Sequence, residues 1–315
     1  MKNDFDIINL KQDKQALEQR LSELVYGSVE IRKRGEKKYL YVHQRLNGRV
    51  ISRYVGEYSQ DLYNLILTNN TTAKELKQRL KDVSAKLATL GIKESPLRPA
   101  IEVNIDLAKR MLVDSIYDQA ILEGVATTFV ETERIISGGI VQGMTQSDML
   151  KIVNLKHAWE FILSEEVITS ESNFALLSQI NRLVEEGFYY GAGKIRGVPV
   201  RISGTSWQPS IPIESQIKEE LAKILTRKIS NLDKAIDLLL YIMRRQIFID
   251  GNKRTAVIFA NHFLIARGLG IIAIPAELAD EYKRLLLHHY ETGKKEEIAK
   301  FLQEKCYLKI TPIST

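Results

Sequence analysis

Residues 244–259, RRQIFIDGNKRTAVIF, set a polar cluster between two apolar runs, and the residue types in that cluster could hold phosphate. The cluster is DGNKR at 250–254, and the run AVIFANHFLIA that follows it predicts a nearly all-apolar helix. A helix that begins at such a cluster offers free N–H groups, a glycine that permits close approach and two cations, which together favour an anion. Asp250 suits Mg²⁺, which combines a carboxylate with phosphate oxygens and water. The pattern therefore predicts a site for a nucleotide polyphosphate.

The longer pattern around this cluster resembles the core motif of the Fic family, H-x-F-x-[D/E]-G-N-[G/K]-R. Phe248 and the residues at 250–254 match it, and Gln246 stands at the histidine position. Upstream, GKIRGVPVRISGTSWQPSIP is similar to the flap hairpin of the family, which we place at 190–213. The stretch TTFVETERI, in a predicted helix at 126–137, is similar to its inhibitory motif, (S/T)-x-x-x-E-(G/N). The resemblance implies a Fic-like helical domain.

The resemblance also implies a reaction and the residues that carry it. Fic enzymes typically transfer AMP from ATP, with Mg²⁺, to a Ser, Thr or Tyr hydroxyl of a target protein. By that likeness Asp250 would bind Mg²⁺ and Phe248 would anchor the loop in the core. The implied phosphate ligands are Gly251, Asn252, Lys253 and Arg254. The implied docking residues, which would align the target backbone by strand addition, are Val198, Val200 and Ile202.

In the family the histidine takes the proton from the attacking hydroxyl, and Gln246 cannot replace it in that role. A primary amide has no basic form near neutral pH, although its oxygen can accept a hydrogen bond. General-base catalysis contributes roughly 10² to 10⁴ in rate, so nucleotide binding can persist while transfer is impaired. Three interpretations stay open: a natural non-catalytic relative, an attenuated enzyme whose base comes from elsewhere, or a histidine deliberately replaced by glutamine.

Two further departures concern regulation and the group that is transferred. Many Fic proteins carry a second arginine three residues after the first, where this chain has Val257. Glu131, the inhibitory candidate, therefore needs another partner, and we expect it to reach Arg254 or Lys253; a plain surface glutamate is the alternative. Lys253 at the glycine position brings the motif closer to the Doc-like branch, in which phosphate rather than AMP can be transferred.

From residue 100 onward, apolar residues recur mainly at helical spacing, which predicts a mainly α domain. Capping signals agree with this, since Ser230 to Asp233 fits a capping box and Gly268 fits a helix C-cap. The exception is 190–213, where glycines, prolines and alternating apolar residues predict a β-hairpin. The predicted helices are roughly 104–123, 126–137, 147–164, 172–186, 214–228, 231–247, 253–267, 276–291 and 294–305.

The N-terminal part predicts a small α+β domain. Helical spacing predicts a first helix that ends near Gly27, followed by a three-stranded antiparallel meander, SVEIRKR, KYLYVHQRL and RVISRYVG, with an Asn-Gly turn between the last two strands. A helix is predicted again at 60–92. Two prolines and a glycine within 91–99 favour a boundary there, so we predict domains at 1–95 and 96–315.

Basic charge is concentrated in the N-terminal domain. Residues 1–95 hold 18 Lys and Arg against 12 Asp and Glu, whereas residues 96–315 hold 27 of each. The basic residues of the meander are Arg32, Lys33, Arg34, Lys37, Lys38, Arg45, Arg49 and Arg53, and the interleaved tyrosines are Tyr39, Tyr41 and Tyr54. Such a surface suits a nucleic acid or an acidic partner, although a solvated face is the commoner meaning of a charge run. The rival hypothesis is a non-catalytic adaptor or nucleic-acid-binding protein.

Composition sets the broad class of protein. With 44% apolar and 27% charged residues and a single cysteine, Cys306, the chain is typical of a globular protein, and a disulfide framework or Cys-rich zinc site is excluded. The N-terminus has no apolar signal region and the apolar runs are too short to cross a bilayer. We therefore expect a cytoplasmic protein without a membrane partner, and a homo-oligomer is compatible with the pattern.

Overall fold

In the N-terminal unit, the spacing at which apolar residues recur changes from helical to alternating and back to helical. The computed structural model describes residues 2–46, 49–90 and 97–309. Its first elements are α1 (Lys2–Ser22), β1 (Ser28–Arg34), β2 (Lys37–Leu46), β3 (Arg49–Glu57) and α2 (Gln60–Thr89). The strands pair antiparallel in the order β1-β2-β3, which confirms the predicted helix, meander and helix. The predicted Asn-Gly turn and most of the predicted boundary at 91–99 lie outside the described residues.

Helices dominate the rest of the chain, as the spacing of apolar residues predicts. They are α3 (Pro99–Arg110), α4 (Leu112–Leu122), α5 (Phe129–Ile136), α6 (Gln146–Leu163), α7 (Glu165–Ile168), α8 (Phe174–Val184), α9 (Glu214–Thr226), α10 (Asn231–Arg245), α11 (Asn252–Ile265), α12 (Ala279–Thr292) and α13 (Glu296–Phe301). Two short strands, β4 (Ile271–Ile272) and β5 (Tyr307–Leu308), pair antiparallel. A 3₁₀ turn precedes α12, and the predicted helix at 294–305 ends early in a π-helical turn at 302–306. None of the helices described is long and apolar enough to cross a membrane.

One predicted helix, 104–123, is in fact two helices, α3 and α4. The break falls beside the guanidinium of Arg53, which reaches over from β3: Nη1 donates to the carbonyl oxygen of Arg110 at 2.5 Å, while Nε and Nη2 bind the carboxylate of Asp114. A side chain that takes a helix carbonyl turns the helix at that point, and sequence spacing cannot reveal it. Since Arg53 and Asp114 are both buried, Arg53 joins the sheet to the helices and is not available to an acidic partner.

Helix α11 is the centre of the helical domain. Every residue from Asn252 to Ile265 except Lys253 is buried, which matches the all-apolar run read from the sequence. Helix α10 lies against it and buries a face that includes Ile236, Leu239, Leu240 and Met243. The loop between these two helices therefore leaves the core at a fixed place.

The segment 190–213 contains no strand, so the predicted β-hairpin is wrong as to secondary structure. Its backbone consists of turns, bends and irregular stretches, and the buried guanidinium of Arg196 bonds carbonyl groups that a partner strand could otherwise pair. Nη1 donates to the carbonyl of Val198 at 2.7 Å, and Nη2 donates to the carbonyls of Pro209 at 3.3 Å and Ser210 at 2.7 Å. One side chain thus gathers both arms of this loop, which we call the flap.

Candidate functional site

The loop at 246–254, which carries the motif and which we call the motif loop, begins with an unusual backbone conformation. Gln246 ends α10 with φ 47° and ψ 65°, and it is the one residue other than glycine with positive φ in the described ranges. Non-glycine residues adopt this left-handed region at a cost that the surroundings must balance, and such positions are concentrated at functional sites. Arg196 helps to stabilise this conformation. Its side-chain Nε donates to the Gln246 carbonyl at 2.6 Å, and its backbone N–H donates to the Ile247 carbonyl at 3.1 Å. The flap and the motif loop are therefore held by the same residue.

The side chain of Gln246 is folded back onto its own loop. Its Nε2 donates to the carbonyl of Met243 at 2.5 Å, and its Oε1 accepts from Nδ2 of Asn252 at 3.2 Å. Both ends of the amide therefore have partners within the chain. The position that the resemblance gives to a proton acceptor is occupied by a group that serves the loop itself.

The Asn252 side chain closes the loop. Its Oδ1 accepts from the N–H of Phe248 at 2.9 Å, and its Nδ2 donates to the Phe248 carbonyl at 2.8 Å as well as to Gln246. Asn252 and Phe248 are both buried, so Phe248 anchors the loop in the core as expected. The resemblance implied a phosphate ligand at Asn252, but its side-chain amide has little hydrogen-bonding capacity left. The backbone N–H of Asn252, at the start of α11, is the group of this residue that remains for an anion.

Gly251 gives the turn before α11 its close approach to α8. Its φ is 71°, and a Cβ there would lie 2.4 Å from Oε1 of Glu185, so a larger residue would strain the backbone and displace the Glu185 side chain. The turn is also held by Asn181, whose Nδ2 donates to the Asp250 carbonyl at 3.0 Å and to Oγ1 of Thr255 at 3.1 Å. The first N–H groups of α11 therefore point outward from a rigid turn.

Arg254 is the buried cation of the site. It is 4% exposed, and its Nη2 lies 2.8 Å from Oε1 of Glu185. The two groups are close but poorly aligned, because Glu185 Oε1 and the Nε and Nη1 of Arg254 have no hydrogen-bond partner among the described residues. A buried guanidinium with two unsatisfied nitrogens is costly unless a further acceptor arrives. This geometry favours an anionic ligand.

Two more carboxylates lie near the cations. Glu123 Oε1 is 3.1 Å from Nζ of Lys253 and its Oε2 is 3.9 Å from Nε of Arg254. Asp250 Oδ1 is 3.8 Å from Nη2 of Arg254. Burial raises the pKa of Glu185 to about 7, with Arg254 opposing and the Asp250 and Glu123 charges assisting that shift. An incoming phosphate must therefore compete with these carboxylates for the same cations.

Asp250 is placed where a metal ion could reach it. Its side chain is 54% exposed, and one oxygen, Oδ1, accepts from the N–H of Gly251 at 2.7 Å. The other oxygen has no partner in the described residues. A single accessible carboxylate beside an anion site fits Mg²⁺, which takes most of its ligands from phosphate and water.

Glu131 does not reach the motif, and the expected contact with Arg254 or Lys253 is wrong. Its Oε2 accepts from the N–H of Thr128 at 2.7 Å and from Oγ1 of Thr128 at 2.9 Å, in a capping box at the start of α5. The capping box takes the carboxylate because it satisfies free N–H groups of its own helix. Glu123 and Glu185 are the glutamates that contact the cations.

The docking residues of the flap differ in exposure. Val198 is exposed, Val200 is half-buried, and Ile202 packs against the core. The backbone between them is not paired with any strand of the described chain. Apart from the Val198 carbonyl, which accepts from Arg196, its backbone groups could pair with an added peptide strand.

The space behind Arg254 limits where a nucleotide could lie. A cavity of about 40 Å³ is bounded by Glu123, Lys253, Arg254 and Tyr282 among others. That volume accommodates water, whereas ligand pockets typically measure about 300 to 1,000 Å³. A nucleotide would therefore approach from the side of the exposed Asp250, with only its phosphates near the start of α11.

Comparison with known proteins adds independent information on fold and family. Residues 172–264 match the model of the Fic/DOC family, and residues 7–64 match a domain of unknown function, DUF6788. No curated protein matches the sequence significantly. The first match includes α8, the flap, α10 and the motif loop, which are the elements that build the site.

Solved structures of Fic proteins are similar to this chain in fold. Fic-1 from C. elegans has a TM-score of 0.54 and 18% identity, covering 76% of this chain and 77% of that chain. A Fic domain containing signaling protein from Bacteroides thetaiotaomicron has a TM-score of 0.53 and 17% identity, covering 66% of this chain and 85% of that one. A Fic family protein from Desulfovibrio desulfuricans has a TM-score of 0.52 and 16% identity, covering 66% and 72%. At these identities the likeness shows a Fic fold.

Proposed function

We propose that this chain binds ATP with Mg²⁺ at the motif loop, and that its capacity for the transfer reaction of Fic proteins is impaired by Gln246. The observation that carries the proposal is the buried guanidinium of Arg254, whose Nε and Nη1 have no hydrogen-bond partner in the described chain. Fic proteins generally transfer AMP or another nucleotide moiety to a protein. The matched segment at 172–264 supports placing this chain among nucleotide-binding proteins of that kind.

Phosphate would be held by two kinds of group. The backbone N–H groups at the start of α11 carry the partial positive charge of the helix end, and the turn at Gly251 lets an oxygen approach them closely. Arg254 adds a full charge at the same end, and Lys253, which is exposed enough to move, adds another. This combination suits the closely spaced oxygens of a polyphosphate.

The free oxygen of Asp250 would hold Mg²⁺ against those phosphates. The bound ion would neutralise charge on the phosphates and orient them. The geometry needed from the chain is modest, because one exposed carboxylate suffices when phosphate and water supply the other ligands.

Transfer requires that the attacking hydroxyl oxygen form a bond to phosphorus, that its proton pass to a base, and that the bond from this phosphorus to the leaving group break, which releases pyrophosphate when AMP moves or ADP when phosphate moves. Gln246 offers no such base, and its amide already bonds Met243 and Asn252. Loss of a general base lowers the rate by about 10² to 10⁴, which is roughly 3 to 5.5 kcal/mol of barrier. Binding of nucleotide is unaffected by this loss, so the two properties separate.

The group transferred is a second question. Lys253 at the position of the motif glycine, followed by Thr255, favours the Doc-like alternative in which phosphate moves instead of AMP. Two ATP samples, one labelled at the α-phosphate and one at the γ-phosphate, distinguish the alternatives. A protein target would dock on the flap near the exposed Val198, along backbone that belongs to no strand of the described chain.

Titration calorimetry with ATP and Mg²⁺ tests the binding proposal. We expect saturable binding by the full chain, weaker binding for Asp250→Asn in the presence of Mg²⁺, and loss of binding for Arg254→Gln. Circular dichroism must show that Arg254→Gln is folded. If the folded full chain and its Glu185→Gln variant both show no heat of binding at millimolar ATP, the proposal is wrong.

A further inference from the structure

A second concentration of positive charge lies in the N-terminal unit, away from the flap and the motif loop. The cleft between the end of β2, helix α2 and the end of α3 encloses about 610 Å³. We call it the basic groove. Its cations are Arg45, Lys74, Lys77, Lys81 and Arg110, and no Asp or Glu is among the residues that line it within the described chain.

The wall of the groove is rigid. Asn70 of α2 clamps the start of β1, since its Oδ1 accepts from the N–H of Gly27 at 2.7 Å and its Nδ2 donates to the Gly27 carbonyl at 3.0 Å. The Gln44 side chain donates to the carbonyl of Tyr26, and a Cβ on Gly27 would lie 2.4 Å from the carbonyl oxygen of His43. The strand and helix that carry the cations are thus fixed relative to each other, which lowers the cost of ordering them on binding.

The lysines form one row along α2. Lys74, Lys77 and Lys81 are spaced by three and four residues, so they share a face of the helix and span about 10 Å. Neither these lysines nor Arg45 has an ion pair with a carboxylate in residues 2–46, 49–90 and 97–309, and only Arg110 is paired, with Asp106 at 3.0 Å. Like charges at this spacing repel, so the row lowers helix stability unless an anion binds.

The ammonium group of one lysine, Lys77, lies over an aromatic ring. Nζ of Lys77 lies 4.3 Å from the centroid of Tyr26 on the groove wall. Burial and the neighbouring Arg110 lower the pKa of Lys77, while Asp106 opposes that shift. The groove therefore brings five cations together, and Asp106, paired with Arg110, is the carboxylate that acts on them.

We propose that the basic groove binds the phosphate backbone of a nucleic acid without reading its bases. A row of about 10 Å corresponds to about three phosphates of one strand, at 3.4 Å of helix axis per strand charge. Lysine is a point charge that suits phosphate, and a row of them contacts the backbone without base-specific geometry. The groove is concave and its rim carries no run of exposed apolar side chains, which disfavours a membrane surface.

The proposed nucleic-acid surface differs from the one that the sequence suggested, which consisted of the meander alone. Tyr39, Tyr41 and Tyr54, which the sequence suggested as stacking groups, form their own cluster with centroid distances of 6.1 and 5.5 Å and do not line the groove. Arg53 is buried against Asp114. Of the basic residues of the meander whose side chains the structure describes, Arg45 is the one that lines the groove, and the other cations come from α2 and α3.

Fluorescence anisotropy with a labelled DNA duplex of arbitrary sequence tests the proposal, using the full chain over a range of salt. The test variant is Lys74→Gln/Lys81→Gln. The matched control is Arg79→Gln/Lys86→Gln, which removes the same charge from exposed positions of α2 that do not line the groove. Glutamine has nearly the helix propensity of lysine and arginine, so both variants should fold.

We expect binding whose logarithm falls linearly with the logarithm of the salt concentration. The test variant should reduce that slope by about 1.8, since each lost phosphate contact accounts for about 0.9, and the control should leave it nearly unchanged. A second duplex of different sequence should bind equally, and excess ATP with Mg²⁺ should not compete. The Arg254→Gln variant should bind DNA like the unmodified chain, so failure of the nucleotide proposal would leave this result intact.

Three outcomes would overturn the proposal. The first is no binding at about 50 mM salt, where contacts to phosphate are strong. The second is an equal loss of binding in the test and control variants, which would mean that net charge alone is responsible. The third is tighter binding to poly-glutamate or to anionic lipid vesicles than to DNA, which would assign the groove to a partner of another class.

Discussion

The Oε1 of Glu185 lies 2.8 Å from the Nη2 of Arg254, so a buried carboxylate sits beside the cation that we assign to phosphate. The contact joins the end of α8 to the first turn of α11. An anion that binds Arg254 must share it with Glu185 or displace it. The strength of nucleotide binding therefore depends on the charge of Glu185.

The first prediction is that Glu185→Gln strengthens binding of ATP. Glutamine keeps the shape of the side chain beside Gly251 but removes the negative charge, so Arg254 is free to bind phosphate. We expect the dissociation constant to fall on the order of tenfold, which is about 1.4 kcal/mol. Titration calorimetry measures it, and Glu186→Gln, an exposed neighbour with the same charge change, should have little effect.

The second prediction concerns the pH dependence of anion binding. The pKa of Glu185 is raised to about 7, so the carboxylate gains a proton as pH falls through that value and releases Arg254. Binding should therefore be tighter at about pH 6 than at about pH 8. Sulfate is the suitable probe because its charge is constant over this range. The groups around Glu185 are Arg254, Asp250, Glu123 and Lys151, and Glu185→Gln should abolish the pH effect if Glu185 is its source.

The third prediction concerns stability and Glu133. This buried carboxylate accepts from the N–H of Val25 at 3.1 Å and from Nδ2 of Asn69 at 2.6 Å, which joins α5 to the N-terminal unit. Burial raises its pKa from 4.5 to about 7, and its second oxygen has no partner in the described chain. The folded state thus holds more protons than the unfolded state between those values, so stability falls as pH rises through this window.

Urea denaturation at about pH 5 and about pH 8 measures the effect, which should be on the order of 1 to 3 kcal/mol in the free energy of unfolding. Glu133→Gln keeps the neutral form at every pH and should reduce the dependence, leaving the part due to Glu185, whose pKa is also raised to about 7. Glu75→Gln, at an exposed position of α2, is the control and should retain the full dependence. A dependence in Glu133→Gln as steep as in the unmodified chain would assign the effect to other groups.

The fourth prediction concerns the clamp at Arg196. Its guanidinium binds carbonyls of both flap arms and of the motif loop through four hydrogen bonds, which need the several donors of a fixed fork. Arg196→Lys keeps the charge but loses most of these bonds, so we expect a loss of about 2 to 4 kcal/mol in unfolding free energy. Hydrogen exchange should rise in the flap. Arg201→Lys, an exposed residue of the same flap, should change neither property.

The parts of the site that are contiguous in the chain could be predicted from sequence. The cluster at 250–254, the apolar α11 after it and the buried anchor Phe248 all follow from residue types and local spacing. The Gln246 position follows in the same way, since it is defined by its distance from that cluster. These features can be predicted because the residues concerned are neighbours in sequence, within one loop and one helix turn.

The partners of those residues could not be predicted in the same way. Arg196, Glu185 and Glu123 lie 50 or more residues from the residues that they contact in the motif loop and the start of α11, and nothing in their local sequence marks them. An arginine between glycine-rich turns is usually read as a surface residue, and only its burial shows that it is a clamp. The same limit explains the missed break in the helix at 104–123, which depends on an arginine from β3.

The fifth prediction is that Gln246→His restores transfer to a protein acceptor. Position 246 has positive φ, and histidine tolerates the left-handed region better than most residues, so the exchange should not disturb the loop. Histidine would also place a base of suitable pKa beside Asn252, which now bonds the glutamine oxygen at 3.2 Å. With ATP labelled at the α-phosphate in one sample and at the γ-phosphate in another, and a cell lysate as acceptor, we expect label on protein from one of the two samples for Gln246→His, and about 10² to 10⁴ less for the unmodified chain. A pH profile of the transfer that follows the titration of an imidazole would tie the gain to the new base, whereas Gln246→Asn, which also tolerates this backbone, should gain nothing.

Two outcomes would contradict the prediction. Equal labelling by the unmodified chain would show that the base lies elsewhere. No labelling by a folded Gln246→His/Glu185→Gln double variant that still binds ATP would show that more than the base is missing.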